Sequence, residues 1–189
     1  MLSKLAGYVY YEGDTFPQHL NPYLPIDVDE PSLSWPKQKP LKGVSKDRID
    51  AVAKGYKECV KMTKHEDFNK ENVDGFFTAM CENIKSEKMR IGGDWVVAFP
   101  TPTRSIRDHI KKQLGPDLVF ILLNMTKEEQ MRRISSRHGD EVNSTVEWLT
   151  GMYDIFEPAH EDEENVFDVV VTGDMSREDV ARSILDILP

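Results

Sequence analysis

Three short, nearly continuous apolar runs, Trp95 to Phe99, Leu118 to Leu123 and Val166 to Val171, constrain what this chain can fold into more than any other feature. A strand with one wet face alternates polar and apolar residues, whereas a strand covered on both faces does not, so these runs predict parallel strands between layers of helix. Tyr8 to Tyr11 is a fourth, shorter segment of strand character.

Helical periodicity fills the stretches between. Ser45 opens a segment from about Lys46 to Met62 in which Ile49, Val52, Ala53, Tyr56 and Val60 share one apolar face. A second covers roughly Glu71 to Lys88, with Val73, Phe76, Phe77, Met80 and Ile84 inward, and a third runs from Arg104 to Gln113 before Gly115-Pro116. Thr126 with Glu129, and Ser176 with Asp179, have capping-box spacing ahead of two further helices. Strands alternating with helices imply right-handed crossovers and a mainly parallel sheet flanked by helices.

Bulk properties narrow the function. A chain of 189 residues suits a single domain with one continuous core. Its net charge of −9 argues against nucleic-acid binding, which draws on clustered Lys and Arg. Cys59 and Cys81 have no metal or disulfide spacing, which fits a reducing, cytoplasmic setting. No apolar run reaches membrane-spanning length and no secretory leader is visible, so no membrane partner is expected. Prolines at 17, 22, 25, 31, 36 and 40 make residues 17–44 a Pro-rich loop, and Glu157 to Glu164 reads as a solvated acidic loop.

Among residues able to carry chemistry, Glu12 and Asp14 come just after the first strand, at the carboxyl edge where open α/β sheets bind ligands. They are suited to magnesium or to orienting a hydroxyl, or they form a solvated turn. Arg104 and Arg107 lie three apart on one helix, able to grip an anion or to serve as surface charges. Arg132, Arg133 and Arg137 end a helix before His138-Gly139-Asp140. There they either complement the helix dipole or approach a transferring phosphoryl group from a lid. The five histidines show no ligand spacing.

In order and spacing, these pieces resemble the gluconate kinase branch of the small P-loop kinases, which also includes shikimate kinases. Tyr11-Glu12-Gly13-Asp14 looks like the family's acidic strand end, and Phe16-Pro17 with Asn21 resembles the His-Pro and Asn that come next in these kinases. Trp95 to Phe99 with Arg104, Arg107 and Asp108 looks like the third strand and its basic helix. The stretch from Pro116 to Val171 resembles the family's fourth strand, lid (about 137–157), return helix and fifth strand, with Arg133 to Gly139 as the lid approach, followed by Phe156-Glu157-Pro158 and Val169 to Asp174.

The resemblance implies a three-layer P-loop-kinase-like fold and transfer of the ATP γ-phosphate to a hydroxyl of a gluconate-like sugar acid, with magnesium. On that basis Asp14, Arg137 and Arg133 are the expected catalytic residues, and Arg104, Arg107 and Asn21 the substrate-binding ones. Glu12 and Asp14 are the expected magnesium ligands, Asp174 lies in the nucleotide-base region, and residues 17–44 form the substrate-side loop.

The departures are as informative. Pro100-Thr101-Pro102-Thr103 stands where these kinases carry Ser-Ala-Leu-Lys, and His138-Gly139-Asp140 replaces Lys-Gly-His. None of the eleven glycines belongs to a G-x-x-x-x-G-K-[ST] motif, and Leu2 to Gly7 matches only the tail of the helix that such a loop opens. The central first strand is therefore expected to be missing, leaving a slot about 10 Å wide that closes, is filled, or reflects a truncated product or alternative start. The expected function is a truncated or degenerate sugar-acid kinase with weak or absent ATP binding. The alternatives are an inactive kinase-like binding or regulatory protein with a protein partner, or a nucleotide or nucleoside kinase; a homodimer is compatible with each.

Overall fold

The computed structural model describes residues 7–13, 45–138 and 150–188. In chain order they form β1 (Val9–Glu12), α1 (Lys46–Thr63), α2 (Lys70–Ile91), β2 (Trp95–Ala98) and α3 (Arg104–Leu114). Then come β3 (Phe120–Asn124), α4 (Lys127–His138), α5 (residues 150–154), β4 (Val166–Val170) and α6 (Arg177–Leu185).

Local chemistry starts each helix where the side chains direct it. Ser45 accepts from the Arg48 amide at 3.3 Å, Asn69 from the Asn72 amide at 3.1 Å and Thr103 from the Ile106 amide at 3.4 Å. Ser176 and Asp179 complete the predicted capping box of α6. The box predicted at Thr126 forms only in part: Thr126 accepts from the Glu129 amide at 3.2 Å, but the Glu129 carboxylate turns to Arg132 and Arg133. A guanidinium is a stronger attraction for a carboxylate than one neutral amide.

All four strands lie in parallel pairs. β1 pairs with β2, with Val9 opposite Trp95 and Glu12 opposite Ala98, and β3 pairs with β4, with Phe120 opposite Val166 and Asn124 opposite Val170. The pairs remain two separate sheets: among the described residues β2 and β3 share no ladder, so the strands expected beside the missing one have not re-paired with each other. Helix α3 comes after β2 across five connecting residues and leads into β3 across five more.

The main core lies where α1, α2 and α3 meet both sheets. Val52, Val73, Phe76, Phe77, Met80, Cys81, Ile84, Ile106 and Ile110 are buried there together with Phe120, Leu122 and Val166. Phe76 meets Phe77 edge-on at 5.3 Å between ring centroids, and Phe99 lies 5.9 Å from Phe76, joining the end of β2 to α2. Gly55 permits the close approach of α1 and α2, since a Cβ there would lie 2.5 Å from the Asn72 carbonyl oxygen. Buried Glu58 accepts from the Asn69 amide at 2.7 Å and so ties α1 to the start of α2. A smaller core of Val169, Val171 and Ile184, with Ile121, Val180 and Leu188 against it, seats α6 on the opposite face of β3 and β4. Alternate residues of β3 thus enter different cores, which accounts for its unbroken apolar sequence. No helix among the described residues is long and apolar enough to cross a membrane.

Candidate functional site

The carboxyl ends of β1 and β2 come together because the strands are paired in register through Glu12 and Ala98. Gly13 then passes so close to Phe99 that a Cβ would lie 2.5 Å from its ring, so only glycine permits this approach. Behind it the Tyr11 hydroxyl donates to Asn83 Oδ1 at 2.7 Å, and burial pushes the phenol above its ordinary range. Asp14 and Asn21 lie outside the described residues, as do the side chains of Glu12 and Arg137. The pairing expected of Glu12 and Asp14 for magnesium lies outside them too. Among the described residues no group of three or more His, Cys, Asp or Glu side chains is placed to hold a metal ion.

Beyond β2, Thr103 caps α3 and sets Arg104, Arg107 and Lys111 along one side of the helix. Against that side runs the acidic segment 157–164. The Glu157 amide donates to the Pro102 carbonyl at 2.7 Å, and its carboxylate accepts from the Arg104 amide at the helix start. The Arg104 guanidinium meets Asp162 through two bonds of 2.9 Å. Arg107 donates from Nε and Nη2 to the two oxygens of Glu163, at 2.9 and 2.7 Å, and also reaches the carbonyls of Glu157 and Pro158. Lys111 Nζ then donates to the Glu164 carbonyl at 2.6 Å, and Asn165 Nδ2 to that of Pro116. The segment is a strap, turning at His160–Glu163, that tracks α3 from its amino end to the turn beyond its carboxyl end and enters β4.

The strap determines what the two predicted anion-binding arginines can do. Arg107 and Glu163 retain only 1% and 3% exposure of their side chains, and the Arg107 guanidinium holds the Glu163 carboxyl below its usual range against the opposing effect of burial. Arg104 is partly exposed, and its hydrogen bonds depress the Asp162 carboxyl in the same way. The expectation of a solvated acidic loop is therefore corrected at Glu163, whose side chain is covered where it meets Arg107. A shallow cleft of about 180 Å³ opens beside the strap, where the cations Arg104, Arg107 and Lys111 are outnumbered by the carboxylates Asp108, Asp162, Glu163 and Glu164, so it carries no positive excess for an anion.

A second cluster stands at the carboxyl ends of β3 and β4. Arg133 donates to Glu129 and, from Nη2, to the Thr172 carbonyl at 3.1 Å, while the Thr172 hydroxyl donates to Asp174. Arg132 and Arg133 together pull the Glu129 carboxyl down to about 2. Arg133, expected to act from a lid, is thus tied to the turn that carries Asp174. The helices beside it run antiparallel, because Lys127 bonds Asp154 at 2.8 Å and Met131 Sδ accepts from Thr150.

Glu157, Asp162 and Glu163 were not among the expected site residues. Their visible signal was complementarity: an acidic run of matching length lies downstream of a helix with cations at three- and four-residue steps. Burial pushes the Cys59 thiol up to about 12 and the Cys81 thiol to about 11, which disfavours the thiolate at both. A scan against protein-family models found no match, and a search of curated proteins found no significant one.

Proposed function

We propose that this chain is a kinase-like α/β domain that binds a protein partner and does not itself transfer phosphate. The observation that carries the reading is the internal neutralisation of Arg104 and Arg107. In a sugar-acid kinase of the kind the sequence resembles, these guanidinium groups would hold the acceptor's anion. Here a ligand anion would have to displace Asp162 from Arg104, and would have to open the strap to reach Arg107 at all. The division of the strands into two parallel pairs supports a P-loop-kinase-like architecture without its central strand. A phosphate cradle needs a nest of backbone amides with a lysine, and the sequence has no such motif.

A second reading, a degenerate sugar-acid kinase using ATP and magnesium, draws support from one feature. The register sets the acidic end of β1, at Glu12, beside the end of β2, at Ala98, the edge at which an acceptor hydroxyl would be oriented in such a sheet. Isothermal titration with Mg-ATP, with a subsequent assay of phosphate transfer to gluconate, decides between them. The expected result is neither saturable nucleotide binding nor transfer, and turnover with any sugar acid would overturn the binding-module reading.

A further inference from the structure

Among the described helices, α1 arranges its charge in an unusual way. Lys54, Lys57, Lys61 and Lys64 follow one another at steps of three, four and three, which places them in one row along the helix. Lys54, Lys57 and Lys64 are exposed, and the Lys61 side chain keeps 43% of its surface. The one carboxylate in the sequence between them, Glu58, is buried and accepts from Lys61 at 2.9 Å and from the Asn69 amide at 2.7 Å. By contrast, Lys46–Asp50, Lys70–Asp74 and Arg90–Glu87 each set a cation against an acid three or four residues away. Acids are not scarce, at 33 Asp and Glu against 24 Lys and Arg, yet this row places like charges at neighbouring positions, which works against the helix. The dipole at the carboxyl end of α1 accounts for Lys61 and Lys64, but its effect fades within one turn and gives no reason for Lys54 and Lys57.

The molecule itself shows what such a row receives. On α3 the cations Arg104, Arg107 and Lys111 follow one another at steps of three and four, and the acidic strap lies along them and bonds to each. Helix α1 repeats that spacing with one further step, on an exposed face.

We propose that the α1 lysine row is the docking surface for a partner protein and takes an extended acidic segment of it. This deepens the binding-module reading and rests on it. From Lys54 to Lys64 the row spans about 15 Å of helix, the length of about five residues of extended chain. Exposed Asp47 and Asp50 precede the row and exposed Glu66 and Asp67 follow it. A narrow line of carboxylates fits between them, whereas a DNA duplex or an anionic membrane is broader than the row and would meet those acids as well. Lysine ammonium groups are mobile point charges, unlike the forked guanidinium groups under the strap, so this contact is reversible and sensitive to salt.

The test is titration of the 15N-labelled full chain with the peptide Glu-Asp-Glu-Glu-Asp-Glu-Glu-Asp, with its Gln and Asn counterpart as control. Amide shifts are expected to centre on residues 54–64, and affinity to fall steeply between about 50 and 300 mM salt. Lys54→Glu with Lys57→Glu should weaken binding about tenfold or more, whereas Lys85→Glu with Lys88→Glu, the same change of charge at exposed positions of α2, should leave it within about twofold. The melting temperature of the α1 variant should be no lower than that of the parent, because the change removes like-charge neighbours. No binding, equal weakening by the two variants, equal binding of the uncharged peptide, or a lowered melting temperature would each overturn the inference. So would tighter binding of a DNA duplex or of phosphatidylserine vesicles through the same row. Self-association of the parent chain that the α1 variant loses would overturn it too, since the occupant would then be a second copy. Calorimetry with Mg-ATP on the same sample keeps the two ideas apart. Nucleotide turnover removes the binding-module reading whatever the peptide does, whereas absence of both nucleotide and peptide binding removes only the lysine row as its docking surface.

Discussion

Arg107 shows how one buried charge is made tolerable. Its guanidinium is removed from water, which would be prohibitive alone, but Glu163 takes two of its N–H groups in a fork and two strap carbonyls take others. Removing one partner leaves the other charged and unpaired in the core. Arg107→Met is therefore expected to cost about 3–5 kcal/mol in urea denaturation, and adding Glu163→Leu to recover much of it. A double variant no better than the single one would mean that the carbonyl contacts, rather than the ion pair, carry the effect. Acid sensitivity has its origin in the same chemistry. Glu129, lowered to about 2 from an ordinary 4.5, and Glu163 and Asp162, lowered in the same direction, are stabilised as anions in the fold. Their contribution is complete above the unfolded value and is lost as pH falls toward the folded one. The melting temperature should thus decline as pH drops from about 4.5 toward 2. Glu129→Gln should flatten that decline, and an unchanged slope would remove Glu129 as its source. Only the complementary charge of the two segments was legible in the sequence, and the specific partner of Arg107 was not, because it lies 56 positions away in a run whose composition reads as solvated.

At the scale of elements the sequence was far more readable. Ser45, Thr126 and Ser176 start helices where their spacing predicts, and each of the four strand segments forms a strand within two residues of its expected limits. These signals are local: a cap needs only an amide three residues on, and an apolar run needs only cover. Element contacts were less legible because they depend on where helices cross. Gly55 is the example, an ordinary helix glycine in sequence that proves to lie at a close approach of α1 to α2. A methyl group there would meet the Asn72 carbonyl and the Phe76 side chain at 2.5 and 2.7 Å. Gly55→Ala should raise the intrinsic helix propensity of α1 yet destabilise the protein by about 1–3 kcal/mol, as overpacking does. Thermal unfolding checks it, and a stabilised variant would show that the two helices can move apart without loss.

For the whole molecule, the parallel α/β class was evident from unbroken apolar runs, while the separation of the strands into two sheets had no signal in those runs and was expected only through the resemblance, as one outcome of a missing central strand. Strand composition reports cover on the faces and says nothing of which edge is paired. The strap also has a bearing on the order of assembly. Its contacts join positions 50 to 58 residues apart, so they reward the chain only after α3 and the start of β4 have already been brought together. Closing the strap should therefore be a late event, and its opening an early step of unfolding. In stopped-flow kinetics Arg107→Met is expected to accelerate unfolding far more than it slows refolding, and a mainly slowed refolding limb would place the strap in the folding nucleus. A carboxylate that looks like surface decoration in the sequence would then govern how long the folded domain lasts.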